Sequence, residues 1–429
     1  MWQKITQIFK IKELRNKIIF VLVIFVIFRL TANIPVPGID AERLKSFFES
    51  NQLFGLMNLF TGGAMKNLSI AMLGLSPYIT AVIIMQLLTM IFPGLEAMYK
   101  EEGESGRHKF EQYGRILTVP LAALQAYAMV MLFRSQQILG PLDLFQMITT
   151  ISVITAGTCF LMWLGELVSE KGIGNGVSLL IFAGIVASFP NSIGQTLITD
   201  FSGGMDTSKI PAYLGFLAIA FVVIVGVVII TEGRRNIPIS YAKRIRGNKM
   251  YGGVSTYLPM NVNPAGVMPI IFALSFLLLP GMIGSFFANS QIYWIGVVAR
   301  FLRDLFQSGQ LIYSVIYFLL VVVFTYFYTA VTFDPKNISS NLQKMGGFIP
   351  GIRPGEPTTI FLNFILNRVL LVGAVFLGLI AVSPTIVQVL TGVKTFQIGG
   401  TSILIVVSVI LETLRQIESQ LTMREYEGF

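Results

Sequence analysis

The chain has 429 residues, of which 54% are hydrophobic and only 12% charged, with a formal net charge of +9 and a mean hydropathy of +0.73. Soluble globular domains carry about 25% charged residues, so this composition cannot build a water-facing surface, and lipid is the solvent for most of the protein. The single cysteine, Cys159, lies inside an apolar run, and the single histidine, His108, sits in the charged stretch Gly106-Arg107-His108-Lys109. A disulfide framework, a thiolate metal site and histidine acid–base chemistry are thereby excluded.

At the amino terminus, Lys4, Lys10, Lys12, Arg15 and Lys17 precede an apolar run that begins at Ile18. That run is longer than a signal-peptide core, and the following Ile34-Pro35-Val36-Pro37-Gly38 offers no small-residue cleavage site, so it is expected to be an uncleaved first spanning helix. Arg29 falls near its outer end and is expected to snorkel to the interface. The next apolar stretch, from Leu53 to Lys66, is too short to cross and is expected to fold back as a re-entrant or interfacial segment.

About 20 mainly apolar residues are needed to cross about 30 Å of hydrocarbon. Windows of that kind occur at 18–36, 69–92, 113–134, 147–169, 176–190, 212–231, 264–285, 311–332, 365–388 and 401–419. The fifth is short: Gly172-Ile173-Gly174-Asn175-Gly176 opens it, and Pro190 is expected to close it. Ten helices place both termini on one side. The loops of that side hold most of the 31 basic residues, among them Arg234, Arg235, Lys243, Arg244, Arg246 and Lys249, so both termini are expected to be cytoplasmic.

None of the windows carries an ionisable residue at its centre, which leaves a proton relay or a charge-coupled transport site without a basis. No serine can pair with a histidine in a spanning segment, and no paired aspartates or metal-ligand cluster lies there, so an intramembrane hydrolase is excluded as well. Gly172 to Gly176 lacks the lysine and the preceding strand of a phosphate loop. The chain is expected to be no enzyme and to need no cofactor or metal.

Pro77-Tyr78-Ile79-Thr80-Ala81 in the second window is echoed by Pro269-Ile270-Ile271-Phe272-Ala273 in the seventh. Five helices separate the copies, so they run in opposite directions through the membrane, as an inverted repeat of five plus five helices would require. Two loops, 232–263 and 333–364, are much longer than the rest. The first is basic and interleaved with Tyr241, Tyr251 and Tyr257. Asn236-Ile237-Pro238, Gly252-Gly253 and the run from Gly346 to Pro357 favour defined turns over floppy linkers. Arg353 is expected at a rigid tip, where it suits a carboxylate or a phosphate of a partner.

Several stretches in one order resemble the SecY family over nearly the whole chain: Pro35-Val36-Pro37-Gly38-Ile39, Leu73 to Leu88 with Ser76-Pro77-Tyr78-Ile79, Glu102-Gly103-Glu104-Ser105-Gly106-Arg107, Met162-Trp163-Leu164-Gly165-Glu166, Gly172 to Gly176, Phe348 to Glu356 and Gly399-Gly400-Thr401-Ser402. The resemblance implies an all-α membrane channel of ten helices in two inverted, pseudo-symmetric halves, 1–200 with helices one to five and 201–429 with helices six to ten. It implies a pore that passes unfolded preproteins across the bacterial cytoplasmic membrane and releases hydrophobic segments sideways into lipid.

Matched motif by motif, the resemblance puts an aliphatic pore ring at Leu75, Ile79, Val177, Ile181, Ile271 and Ile405, with Leu75 and Val177 standing where the family often has isoleucine. It puts a plug at about 53–66, carried by Phe54, Gly55, Leu56, Met57, Asn58, Leu59, Phe60, Thr61, Gly62 and Gly63, and a lateral gate at Thr80, Gln86 and Phe272 between helices two and three and helices seven and eight. Arg353 would dock the SecA motor. Arg244, Arg246 and Lys249 would dock SecA or the ribosome, including its rRNA phosphates. The implied partners also include the small subunits SecE and SecG, preprotein signal sequences and acidic lipids. A narrow collar of apolar side chains dewets and blocks ions, and with no hydrogen bonds to match it closes around any extended chain. A secondary transporter built on an inverted repeat is the alternative, but it would need a midplane polar site where the windows offer only scattered residues such as Thr80, Gln86 and Asn263.

Overall fold

The structure is a computed structural model that describes residues 11–36, 58, 61–135, 138–140, 143–201, 210–241, 244–246, 249–251, 255–287, 293–306, 311–391 and 400–427. Every one of the ten apolar windows is helical over most of its length: α1 (Lys12–Thr31), α2 (Ser76–Ile91), α4 (Gly103–Ser135), α5 (Leu144–Lys171), α6 (Gly176–Phe201), α7 (Ile210–Glu232), α8 (Met268–Phe287), α10 (Leu311–Thr332), α12 (Glu356–Thr391) and α13 (Gly400–Glu427). Three further helices, α3 (Pro93–Lys100), α9 (Tyr293–Leu305) and α11 (Pro335–Lys344), lie between them. The protein is a mostly helical membrane bundle.

The helix ends depart from the windows for local reasons. In the second window, residues 61–75 form consecutive turns, and α2 begins only at Ser76, where Pro77 occupies the first turn. Proline is tolerated there because that backbone position has no intrahelical acceptor. Pro93 then bends the chain by 110° into α3. The expectation that Pro190 closes the fifth window is corrected: α6 runs through it to Phe201. Proline removes one hydrogen bond but does not end a membrane helix whose neighbours satisfy the freed carbonyl. The helices α4 and α12 start well before their apolar windows, with the polar runs 103–112 and 356–364 extending them beyond the hydrocarbon.

Outside the bundle, the two long loops are paired in one sheet of order β4-β1-β5. From the first loop come β1 (Arg234–Tyr241) and β4 (Ser255–Asn261), antiparallel from Arg234 opposite Asn261 to Ser240 opposite Ser255. The second loop contributes β5 (Gly347–Phe348), with Ser240 opposite Phe348 and Tyr241 opposite Gly347. Between β1 and β4, β2 (Arg244–Arg246) and β3 (Lys249–Tyr251) make a separate hairpin. The sheet is seated by Ile237, Met260 and Ile349 on Leu362, Ile365 and Leu366 of α12, all buried. Alternating inward residues of β1, Ile237 and Ile239, follow the period of two of a half-buried strand.

The main core is one continuous cluster fed by α1, α2, α5, α6, α7, α8, α10, α12 and α13. Close approach of α5 and α6 depends on Gly176, where an added Cβ would stand 1.8 Å from the Gly165 carbonyl oxygen. The rest of the Gly172–Gly176 stretch serves the same junction. Gly174 has φ +90°, and its N–H donates to Gln416 Oε1 at 2.7 Å, while the Asn175 side chain accepts from Ser178 N at 3.1 Å at the start of α6. Packing and local hydrogen bonds account for this glycine-rich motif.

Candidate functional site: an aliphatic ring and a flanking cleft

The six residues expected to form the ring come from four helices and one turn. Leu75 ends the turn region, Ile79 lies one turn into α2, Val177 and Ile181 lie one turn apart at the start of α6, Ile271 lies in the first turn of α8, and Ile405 in the second turn of α13. All of them meet in the central core: Leu75, Ile79, Ile181, Ile271 and Ile405 are buried in it, and Val177 packs against it half-buried. Spacings of four residues, 75 to 79 and 177 to 181, put both members of each pair on one helix face. Side chains widely separated in sequence thus meet in one apolar core.

Four of these residues, Ile79, Val177, Ile181 and Ile271, line a cleft of about 170 Å³ together with Tyr78, Val82, Gln86, Asn175, Met268, Phe272 and Tyr328. Two of the three expected gate residues, Gln86 and Phe272, therefore share its wall. Thr80 does not reach it: it is buried and its hydroxyl donates to the Ser76 carbonyl at 2.9 Å. Phe272 stands edge-on to Phe324 and Tyr328 of α10, with ring centroids 6.2 and 5.8 Å away, which joins α8 to α10 by aromatic contacts of the favoured geometry. Helix α8 also packs on α2 and α4. Gln86 Oε1 is buried and has no hydrogen-bond partner among the described residues. The cleft is mixed in character, with Tyr78, Gln86, Asn175 and Tyr328 set among aliphatic and aromatic side chains.

Of the expected plug, Phe54, Gly55, Leu56, Met57, Leu59 and Phe60 lie outside the described residues, while Asn58, Thr61, Gly62 and Gly63 lie within them. Asn58 organises the turn: its carbonyl accepts from Gly63 N at 2.9 Å and its side chain from Lys66 N at 2.7 Å. Thr61 is buried and its hydroxyl accepts from Met65 N at 3.3 Å. Arg29, at the end of α1, is half-buried and donates to the Gly62 carbonyl. Arg115, well inside α4, pairs with Glu166, near the carboxyl end of α5, at 2.6 Å. No group of three His, Cys, Asp or Glu able to hold a metal occurs among the described residues.

Of the expected docking residues, Arg244, Arg246 and Lys249 fall on the β2–β3 hairpin, with Arg246 directly opposite Lys249 in register. Arg353 is exposed at a tip framed by Gly351 and Gly355, both at positive φ (+83° and +100°). Its carbonyl is fixed by the Thr358 hydroxyl at 2.9 Å, and Ser339 ties the Gly355 carbonyl at 2.7 Å. Sequence reasoning missed the pairing of the two loops and the Arg29 contact.

A bundle of apolar helices with an aliphatic core and a cleft at a seam between helices defines the class of an integral membrane protein. Solved structures share its fold: a protein-conducting channel superimposes with a TM-score of 0.66 at 20% identity over 93% of this chain and 91% of that one. Sec61 from a canine ribosome–channel complex superimposes with a TM-score of 0.61 at 19% identity over the same shares. The chain belongs to the SecY family, whose family model matches residues 69–414. It is 44% identical to the protein translocase subunit SecY of Streptomyces galbus over 98% of both chains, and 42% identical to that of Mycobacterium tuberculosis H37Rv over 97% of both.

Proposed function

We infer that the chain is the pore-forming subunit of a protein translocase, a channel that moves unfolded polypeptide across a membrane and lets apolar segments leave sideways into lipid. The observation that carries this reading is the convergence of Leu75, Ile79, Val177, Ile181, Ile271 and Ile405 beside a cleft at the junction of α2, α6, α8 and α10. The ring seals by dewetting and by soft packing, with no polar contact that a passing chain would have to match. Gln86 and Phe272 in the cleft wall would meet a signal sequence on its way out between α2 and α8.

The same reading divides the bundle into two inverted halves, 1–200 and 201–429, and places both termini and the β-sheet on the cytoplasmic side of a bacterial inner membrane. Small subunits of the SecE and SecG type would brace the bundle. The β2–β3 hairpin and the Arg353 tip would receive the SecA motor or the ribosome, the hairpin's basic residues suiting rRNA phosphates, and acidic lipids would surround the same side. On this reading the partner supplies the energy for movement.

The test is SecA- and ATP-dependent uptake of a preprotein into liposomes carrying this chain with its small subunits, comparing wild type with Arg353→Glu. Uptake by wild type and its loss in the folded variant are expected. Equal uptake in both removes Arg353 from the mechanism while leaving the channel, and no uptake by folded wild type overturns the reading.

A further inference from the structure

Arg29 is a charged side chain in the last turn of a spanning helix, and no carboxylate pairs with it among the described residues. A charge near a helix end either reaches the interface or finds a specific partner. Here its guanidinium donates to the main-chain carbonyl of Gly62. The backbone is shaped for that contact: Gly62 and Gly63 follow one another at φ +66° and +87°, a conformation other residues rarely adopt.

Gly62 is wedged as well as bonded. A Cβ there would come 3.0 Å from the Gly184 Cα of α6 and 3.3 Å from the Phe28 ring of α1. Beyond it, the chain from 63 to 70 is laced to the end of α1. Asn33 Nδ2 donates to the Arg29 carbonyl at 2.7 Å, Asn67 Nδ2 to Asn33 Oδ1 at 3.1 Å, Val36 N to the Leu68 carbonyl at 2.9 Å, and Ile70 N to the Ile34 carbonyl at 3.0 Å. These contacts fix residues 67–70 to α1 and leave Gly62 as the place where the fixed turn meets α6.

We propose that Arg29 is a positioning residue of the resting seal: its bond to the Gly62 carbonyl holds the 61–63 turn against α6 beside the ring, and so sets the ion leak of the idle channel. This rests on the pore reading above. A charge-assisted bond out of water is among the stronger single contacts available to a main-chain carbonyl, and a carbonyl is a partner that the guanidinium loses as soon as the turn withdraws. When the bond breaks, Arg29 stays on α1 and can be offered to water or lipid headgroups, so release is reversible.

The experiment measures resting ion leak through proteoliposomes carrying Arg29→Met or Arg29→Gln. Leak is expected to rise about tenfold in each, the population change that follows from losing one charged hydrogen bond. Arg29→Lys, which keeps the charge and can still donate to the Gly62 carbonyl, should hold the leak near wild type; a variant that leaks through general misfolding would not be rescued by the conservative change. Gln keeps the bulk and polarity that insertion needs, so it decides the case where Met fails to fold. Leak at the wild-type level in folded Arg29→Gln, or a leak raised equally in Arg29→Lys, overturns the proposal. The ring variants Ile79→Asn and Ile271→Asn are run alongside: if they leak and Arg29→Gln does not, the latch fails alone, and if none leaks, the pore reading fails with it.

Discussion

Single residues set how tightly the channel can be sealed. Asparagine at Ile79 or Ile271 puts a hydrated amide into a collar that works by excluding water, and each variant should raise resting ion leak several-fold, read as chloride or potassium flux from loaded vesicles. A second prediction concerns Gly176. An alanine there would push a methyl into the Gly165 carbonyl, so α5 and α6 must separate; overpacking of this kind costs about 1–3 kcal/mol, and Gly176→Ala should lower the melting temperature of the detergent-solubilised protein. An unchanged melting temperature would mean that the junction yields without cost. The ring residues could be placed from the sequence only through family resemblance, because nothing in an isoleucine's immediate neighbours distinguishes a pore-facing position from a core one. The role of Arg29 was invisible for a related reason: its acceptor is a main-chain carbonyl that no residue type announces.

Elements were legible where the hydrophobic effect acts within one segment, and illegible where two distant segments cooperate. The ten apolar windows each became a helix, since a membrane forces a local hydrogen-bonding solution on every apolar run. The β1–β5 pairing joins strands that lie far apart in the chain, and turn residues alone could not reveal it. Helix α9 had a local signal that went unread: Trp294, Val298 and Phe301 recur at helical spacing, and all three are exposed, as is the neighbouring Tyr293, while Gly296 and Ala299 are buried against the rest of the protein. A helix that turns its apolar face away from its own protein fits the membrane interface, where tryptophan and tyrosine are enriched. With Trp2 and Trp163 replaced by phenylalanine, Trp294 emission should be quenched by lipids brominated near the headgroup and little affected by aqueous iodide. The reverse pattern would place α9 in water.

At the scale of the whole molecule, the sheet sits on α12, which in turn packs on α7, α10, α11 and α13, all from the proposed second half. The main core nevertheless runs through both halves, with α8 of the second packed on α2 and α4 of the first. Stability and opening therefore draw on different contacts. Replacing Ile237 or Ile349 by alanine removes a buried side chain at a cost of about 2–5 kcal/mol and should loosen the sheet, measured as faster hydrogen exchange over 234–241 and 255–261. Resting ion leak should stay at the wild-type level, because the ring is untouched. A leak that rises together with the exchange would show that sheet and ring are one mechanical unit.

The main-chain hydrogen bonds have one further property. Among the described residues, none runs between the stretches 11–201 and 210–427: each turn, cap and strand pairing closes within one of them. The side-chain bonds that do cross, Gly174 N to Gln416 at 2.7 Å and Lys17 to Gln420 at 3.4 Å, gather near the first residues of α1 and α6 and the far end of α13. On the proposed reading, parting the two stretches would exchange one set of apolar surfaces for another, and a lipid tail or an incoming apolar helix could refill the gap. Such a joint would behave like a clam shell with rivets on one rim: it could gape and shut without unravelling any strand or helix, the thermal cost of each cycle being set by how well the guest fits.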